Sequence, residues 1–136
     1  MGINGFIGKT LLTGVALTTV LSATIAYAAY WTVSTETVRA HGNWSSYGSG
    51  NVKQSNSNYA SFNGDVQPAS YGYSAHLINS NAAGRSNTVN LLKDVTQHAD
   101  GNTGARGYAY YGDDIRSRSY EPNSSTVKFH FSSDYQ

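Results

Sequence analysis

The stretch Tyr71–Val95, YGYSAHLINSNAAGRSNTVNLLKDV, contains two runs in which apolar residues occupy alternate positions. In the first run, one side of an extended chain carries Tyr71, Tyr73, Ala75 and Leu77, and the other side carries Ser74 and His76. In the second run, one side carries Val89, Leu91 and Val95, and the other carries Asn90 and Asp94. A period of two is typical of a half-buried strand, because successive side chains point to opposite faces. The stretch therefore predicts two long antiparallel strands, to which the remaining strands are added.

The segment between these runs has the composition of a connection. Residues Asn79–Asn87 are Asn, Ser, Ala, Gly and Arg, which favour turns and loops. Lys93 interrupts the second run, and this predicts either a β-bulge or an ammonium group that reaches out to solvent.

Further strands are predicted on both sides of this stretch, at residues 31–39, 105–111, 115–120 and 126–132. The last of these alternates most clearly, with Val127, Phe129 and Phe131 inward and Lys128 and His130 outward. Residues 99–104 have turn composition, and the Gly-, Ser- and Asn-rich part 42–64 predicts irregular edge structure. No apolar stripe with helical spacing follows the N-terminal segment, so the chain is predicted to be all-β, a small antiparallel β-sandwich.

The N-terminal segment resembles a secretory signal. Lys9 is the only charged residue before Glu36, and it precedes an apolar run that ends in Ala26-Tyr27-Ala28, an A-x-A cleavage site. A membrane anchor is the alternative, but Thr and Ser dilute the run. We therefore expect a cleavable signal helix at residues 1–28 and a secreted domain at residues 29–136.

Charge and cysteine content exclude several classes of protein. The sequence has nine Lys and Arg and eight Asp and Glu residues, so without Lys9 the formal net charge of the exported part is zero. Nucleic-acid binders have a clear basic excess, so no nucleic acid partner is expected. The absence of cysteine excludes disulfides and thiolate sites. A small domain without these staples is typical of a bacterial extracellular protein, or is stabilised as a homo-oligomer.

Motifs for catalysis are missing. Gly72-Tyr-Ser-Ala-His76 resembles a nucleophile elbow but ends in His where Gly is required, and neither G-x-x-x-x-G-K nor H-E-x-x-H occurs. No pair among the four histidines has local zinc-ligand spacing, so solvent-facing strand histidines are the better interpretation. Asp113-Asp114 is explained by a polar turn. The sequence therefore predicts no enzyme, no metal site and no cofactor.

One constellation points to ligand binding. If Gly112-Asp113-Asp114 closes a three-residue hairpin, one face carries the pairs Tyr110–Arg116, Tyr108–Arg118 and Arg106–Tyr120. Three guanidinium groups beside phenol rings suit the capture of phosphate or carboxylate. The alternative is a solvated outer face on which Arg–Tyr pairs stiffen the hairpin, and a two-residue turn would dissolve the ladder altogether.

Several short motifs occur in order along the chain: Gly42-Asn-Trp44 with Tyr47-Gly48, Ser57-Asn58-Tyr59, Ser74-Ala75-His76-Leu77-Ile78-Asn79 with Gly84-Arg85, Ala105–Tyr111, and Phe129-His130-Phe131. Taken in this order, they resemble the lactococcin 972 family of secreted bacteriocins. Trp44 of the first motif joins the ladder residues as a ligand-binding candidate.

The resemblance implies an exported β-sandwich that inhibits related Gram-positive bacteria. It further implies action on a lipid-linked cell-wall precursor, or another component of the cell surface, without pore formation. A second hypothesis is a non-toxic exported binding or matrix module whose tyrosines recognise cell-surface glycan. An exported hydrolase is a third, which the missing motifs disfavour.

Overall fold

The computed structural model describes residues 30–45 and 48–136, apart from the side chains of Asp113 and Asp114. The predicted signal peptide at residues 1–28 and its cleavage site lie outside the described residues. Residues Trp31–Gln136 form one compact unit. Its strands are β1 (Thr32–Val38), β2 (Gly50–Val52), β3 (Ala60–Val66), β4 (Tyr73–Ile78), β5 (Val89–Leu91), β6 (Gln97–Ala99), β7 (Ala109–Ser117) and β8 (Ser125–Ser132). A 3-10 turn, Ala40–Gly42, follows β1.

The strands form two four-stranded sheets. The first sheet has the order β1-β8-β3-β6 and the second has the order β2-β7-β4-β5. All neighbouring strands pair antiparallel. The predicted all-β class and the antiparallel pairing are confirmed, and two sheets around one core give a sandwich-like arrangement. Among the described residues, no helix has the length and apolar character that crossing a bilayer requires.

The core contains inward-facing residues from both sheets. In β4 these are Tyr73, Ala75 and Leu77, and in β8 they are Val127, Phe129 and Phe131, all with no exposed surface. All six were predicted inward from alternation, but Tyr71, predicted inward with Tyr73, is exposed. Burying a large apolar side chain stabilises a fold by about 1.5–3 kcal/mol, so these two strands contribute substantially to the hydrophobic stabilisation. The predicted first strand is also confirmed, as β1.

The second half of the opening stretch differs from the prediction. β5 pairs with β4 as expected, with Tyr73 opposite Leu91, but it ends after three residues. Instead of a bulge at Lys93, the chain turns: Leu92 bridges to Val95, and Asp94 has a φ of 59°. Val95 is therefore exposed, and its apolar character does not extend the strand.

The polar segment 42–64 is more ordered than its composition predicts. β3 begins inside it and lies in the middle of the first sheet, between β8 and β6. Ser61 is fully buried there because its hydroxyl group donates to the backbone oxygen of Asp134 and accepts from the backbone N–H of Gln136. The expectation of irregular edge structure was wrong for this part, since tertiary hydrogen bonds satisfy the polar side chain.

The predicted hairpin at Gly112-Asp113-Asp114 does not form. β7 runs continuously through these residues, with β2 on one edge and β4 on the other. Pairing with β4 steps from His76 opposite Asp114 to Ile78 opposite Tyr111, so β7 has one extra residue there, a β-bulge. Gly112 suits this position, because a Cβ atom would lie 2.5 Å from the Phe131 ring.

This bulge changes which side chains of β7 face inward. Tyr110 and Ile115 are five positions apart and would lie on opposite faces of a regular strand. The extra residue places both in the hydrophobic core. Arg116 consequently lies on the outer face of the second sheet, whereas Tyr110 is buried.

A polar network centred on Lys53 holds the C-terminal residues against the segment after β2. The Lys53 ammonium group, 1% exposed, donates to the backbone oxygens of Ser57 and Ser133, both at 2.8 Å, and to Asp134 Oδ1 at 3.3 Å. Burial raises the pKa of the Asp134 carboxyl group. The Ser55 hydroxyl, the Gln54 N–H and the Lys53 charge outweigh this effect, so the pKa lies below its ordinary value.

Candidate functional site

The candidate site lies on the outer face of the second sheet. On β4, Ser74 and His76 alternate with the buried residues Tyr73, Ala75 and Leu77 and so point away from the core. Ser74 is opposite Asn90 on β5 and opposite Arg116 on β7. Three strands thus contribute one transverse row of polar side chains.

Trp44 lies over this face because its neighbour Ser45 is bonded to the free edge of β7. The Ser45 N–H donates to the Ile115 oxygen at 2.8 Å, and the Ser45 hydroxyl accepts from the Ile115 N–H at 3.1 Å. The indole ring meets His76 edge-on, with a centroid distance of 4.5 Å and an interplanar angle of 84°. Trp44 and the half-buried His76 therefore form a fixed aromatic support.

The Arg116 guanidinium group lies over the Trp44 ring, 4.4 Å from its centroid. A cation–π contact of this kind contributes about 0.5–2 kcal/mol and leaves the N–H groups at the edge of the guanidinium plane free to bond. Among the described residues, no hydrogen bond or ion pair engages the Arg116 side chain. Arg116 is exposed, so it is a preoriented cation facing solvent.

Arg118, in contrast, is anchored by hydrogen bonds. It donates through Nη1 to Ser74 Oγ at 2.7 Å, through Nη2 to Asn90 Oδ1 at 2.9 Å, and through Nε to the Tyr71 oxygen at 3.3 Å. All its described acceptors are neutral, so its positive charge is not cancelled by them. The arginine face, as we call it here, consists of Trp44, Ser74, His76, Asn90, Arg116 and Arg118.

A depression of about 330 Å³ opens beside these arginines and is lined by Gly42 and residues 116–120. Gly42 is held at its rim by a 3.3 Å hydrogen bond from its N–H to Ser117 Oγ. Arg116 and Arg118 both line this depression, and two arginines at one depression favour an anion with several oxygens, such as a phosphate or carboxylate. We refer to this feature as the arginine depression.

The structure brings together some of the predicted ligand-binding residues and separates others. Trp44, Arg116 and Arg118 lie on the arginine face, and Tyr120 lines the depression. Arg106 and Tyr108 precede β7, at the opposite end of that strand from Arg116, and both are exposed.

Tyr110 is buried in the core, and its hydroxyl group accepts a 2.6 Å hydrogen bond from the Ala105 N–H. The predicted Arg–Tyr ladder was therefore wrong, because its pairs required a hairpin in place of one continuous strand. Arg116 does lie over an aromatic ring, but this ring is Trp44 and not a tyrosine of the predicted ladder.

Four residues of this region were not predicted as site residues: Tyr71, Ser74, His76 and Asn90. Ser74, His76 and Asn90 occupy the polar side of the two opening runs, and that alternation is the signal that places them on one outer face. Tyr71 was expected on the inner side with Tyr73. It precedes β4 and is exposed, with its ring edge-on to Tyr120 at 4.8 Å.

The histidines were expected on solvent-facing strands, and three of them are instead half-buried in specific contacts. His130 Nδ1 lies 3.0 Å from Asp65 Oδ1 and its ring meets Trp31 edge-on, while the His98 ring stacks on Tyr135 at 4.1 Å. His41 is exposed, in the 3-10 turn. Among the described side chains, which leave out those of Asp113 and Asp114, no group of three or more His, Asp or Glu residues is placed to hold a metal ion.

Comparison of this chain with protein-family models, with curated proteins and with solved structures found no match. The resemblance to the lactococcin 972 family therefore depends on the short sequence motifs. Of these motifs, Tyr47 lies outside the described residues, whereas Trp44, Ser74 and His76 lie on the arginine face.

Proposed function

We propose that this protein is a secreted bacteriocin of the lactococcin 972 type, which inhibits related Gram-positive bacteria by binding a lipid-linked cell-wall precursor. The observation that carries the proposal is the Arg116 guanidinium group, stacked on Trp44 at 4.4 Å with Arg118 on the same face. Such an arrangement recognises oxyanions through charge-assisted hydrogen bonds. Phosphate groups of a cell-wall precursor are anions of this class.

Preorganisation supports the proposal further. The indole ring limits the rotamers of Arg116, and three hydrogen bonds limit those of Arg118. A ligand that binds here does not have to order these long side chains, which would otherwise cost about 0.5–1.5 kcal/mol each. The exported location in the proposal comes from the sequence of residues 1–28.

The test compares two arginines of the same charge. Residues 29–136 are purified as wild type, Arg116→Ala and Arg106→Ala, and each is assayed for growth inhibition of Gram-positive strains and for binding to vesicles with and without the precursor. The loss of a hydrogen bond to a charged group costs about 1.5–3 kcal/mol. We expect Arg116→Ala to weaken precursor binding about ten- to a hundred-fold.

Arg106→Ala is the matched control, because Arg106 is also exposed but lies at the other end of β7. It should bind and inhibit like the wild type. Equal losses in both variants would contradict a role for the arginine face. Precursor-independent binding by the wild type, without growth inhibition, would contradict the bacteriocin proposal.

A second candidate function is an exported module that binds cell-surface glycan without toxicity. It is favoured by three rings near the C-terminus: Tyr135 stacks on His98, and Tyr59 meets Tyr135 edge-on at 5.6 Å. Tyr59 and Tyr135 are exposed. Under this alternative, Tyr135→Ala would abolish binding to purified wall glycan and Arg116→Ala would not.

A further inference from the structure

A second depression, also of about 330 Å³, lies next to the arginine depression. Its walls consist of residues 68–71, in the β3–β4 connection, and residues 121–125, in the β7–β8 connection and at the start of β8. We refer to it as the tyrosine depression, after Tyr71. Both volumes fall at the lower end of the range for small-molecule sites, about 300–1,000 Å³.

The two depressions share a wall. Tyr71 lines one and Tyr120 lines the other, and their rings meet edge-on at 4.8 Å. Residues 118–121 form a turn in which the Glu121 N–H donates to the Arg118 oxygen at 3.0 Å. The start of this turn therefore faces the arginine depression, and Glu121 faces the tyrosine depression.

The chemistry of the two depressions differs. Arg116 and Arg118 make the first cationic, whereas the second has the Tyr71 ring, proline and alanine surfaces, serine hydroxyls and one carboxylate, that of Glu121. Glu121 is almost fully buried, and its Oε1 accepts from the Asn123 N–H at 3.2 Å. A carboxylate accepts hydrogen bonds and repels a second anion. The tyrosine depression thus favours a neutral group that is rich in hydroxyls and has apolar faces.

We propose that the paired depressions bind a glycosyl phosphate, with the phosphate in the arginine depression and the sugar in the tyrosine depression. This rests on the proposed function and specifies its ligand. The aromatic ring of Tyr71 packs on the C–H face of the sugar, and Glu121 and the serines bond its hydroxyls. The opposite charges of Arg118 and Glu121, three residues apart, orient the ligand along the turn.

Two phosphate monoesters of equal charge test the proposal. The purified chain, residues 29–136, is titrated with N-acetylglucosamine 1-phosphate and with ethyl phosphate, and Kd values are obtained from NMR chemical shifts. We expect the sugar phosphate to bind about ten-fold more tightly, because it gains contacts that the ethyl group lacks. Tyr71→Ala should remove this difference and leave the Kd of ethyl phosphate unchanged.

Matched variants separate a specific role of Tyr71 from a general one. Tyr71→Phe keeps the ring and should preserve the ten-fold difference. Tyr108→Ala removes another exposed tyrosine, which lies before β7 and outside both depressions, and should also preserve the ten-fold difference. Equal wild-type Kd values for the two probes, or an equal effect of Tyr108→Ala, would overturn the sugar subsite. A wild-type chain that binds neither probe would overturn the arginine depression as an anion site as well.

Discussion

Lys53 directly follows β2 and Arg116 lies in β7. Both are cations, but their surroundings in the fold are opposite. Lys53 is 1% exposed and each of its three N–H groups has an acceptor within the chain. Arg116 is exposed and is held through the face of its guanidinium plane by Trp44. A cation with all donors satisfied internally stabilises the fold, whereas a cation fixed through its π face keeps its donors for a ligand.

Arg118 is intermediate between these two. Arg118 directly follows β7, and its three hydrogen bonds connect this end of the strand to β4, to β5 and to the residues before β4. It also lines the arginine depression. Its removal should therefore affect both stability and binding. The three residues form a series in which the structural contribution falls as solvent exposure rises.

The largest expected effect belongs to Lys53→Met. It leaves the Asp134 carboxylate buried without its cation, and loss of one partner of a buried pair costs about 3–5 kcal/mol. Chemical denaturation would measure this loss. Lys128→Met, at an exposed position of β8, is the control and should stay within about 0.5 kcal/mol of the wild type. Similar stabilities for the two variants would mean that the Lys53 network does not support the fold.

The next largest loss of stability is expected from Arg118→Ala, and it distinguishes Arg118 from Arg116 on the arginine face. Arg118→Ala removes three hydrogen bonds, each worth about 0.5–1.5 kcal/mol, and leaves Ser74 Oγ without its donor. We expect thermal unfolding to show a loss of about 1–3 kcal/mol. Arg116→Ala should change stability by less than about 0.5 kcal/mol while weakening anion binding more. If Arg116→Ala lost more stability than Arg118→Ala, the assignment of Arg118 as the structural anchor and Arg116 as the ligand-binding group would be wrong.

A smaller effect is expected from pH. Because the folded-state pKa of Asp134 lies below its ordinary value of 3.8, ionised Asp134 stabilises the folded state at neutral pH. This contribution is complete above the unfolded pKa and is lost as pH falls through that value toward the lower folded pKa. Denaturant unfolding between pH 5 and about 2.5 should therefore show a decline in stability that Asp134→Asn reduces. An identical pH slope in Asp134→Asn would show that other carboxyl groups cause the decline.

Strands with a strong apolar alternation could be predicted from the sequence. β4 and β8 are examples, because Tyr73, Ala75 and Leu77 alternate along one and Val127, Phe129 and Phe131 along the other, and all six are apolar and fully buried. The same alternation predicted that His76 and His130 lie on the outer faces of their sheets, where both are half-buried. The strand predicted around Lys93 was wrong. Leu91, Leu92 and Val95 have the apolar character of a strand, but the chain reverses between Leu92 and Val95, and the sequence pattern does not indicate this turn.

The candidate site was predictable in composition but not in geometry. Arg116, Arg118 and Trp44 were all selected from the sequence, yet the partner proposed for Arg116 was Tyr110, which is buried. Trp44 reaches Arg116 because Ser45 bonds to the edge of β7, a contact between residues 70 positions apart. Local patterns carry no information on such a contact.

The sequence by itself determined that this chain forms antiparallel strands with one apolar face each, since alternation is a local property of the extended backbone. Only the tertiary structure decided that Gly112-Asp113-Asp114 continues a strand. β2 and Ser45 on one side of β7 and β4 on the other satisfy its backbone, and the Phe131 ring occupies the space beside Gly112. The resulting bulge places Tyr110 in the core and Arg116 beside Trp44. A single extra residue in one strand thus decides which side chains are available for binding.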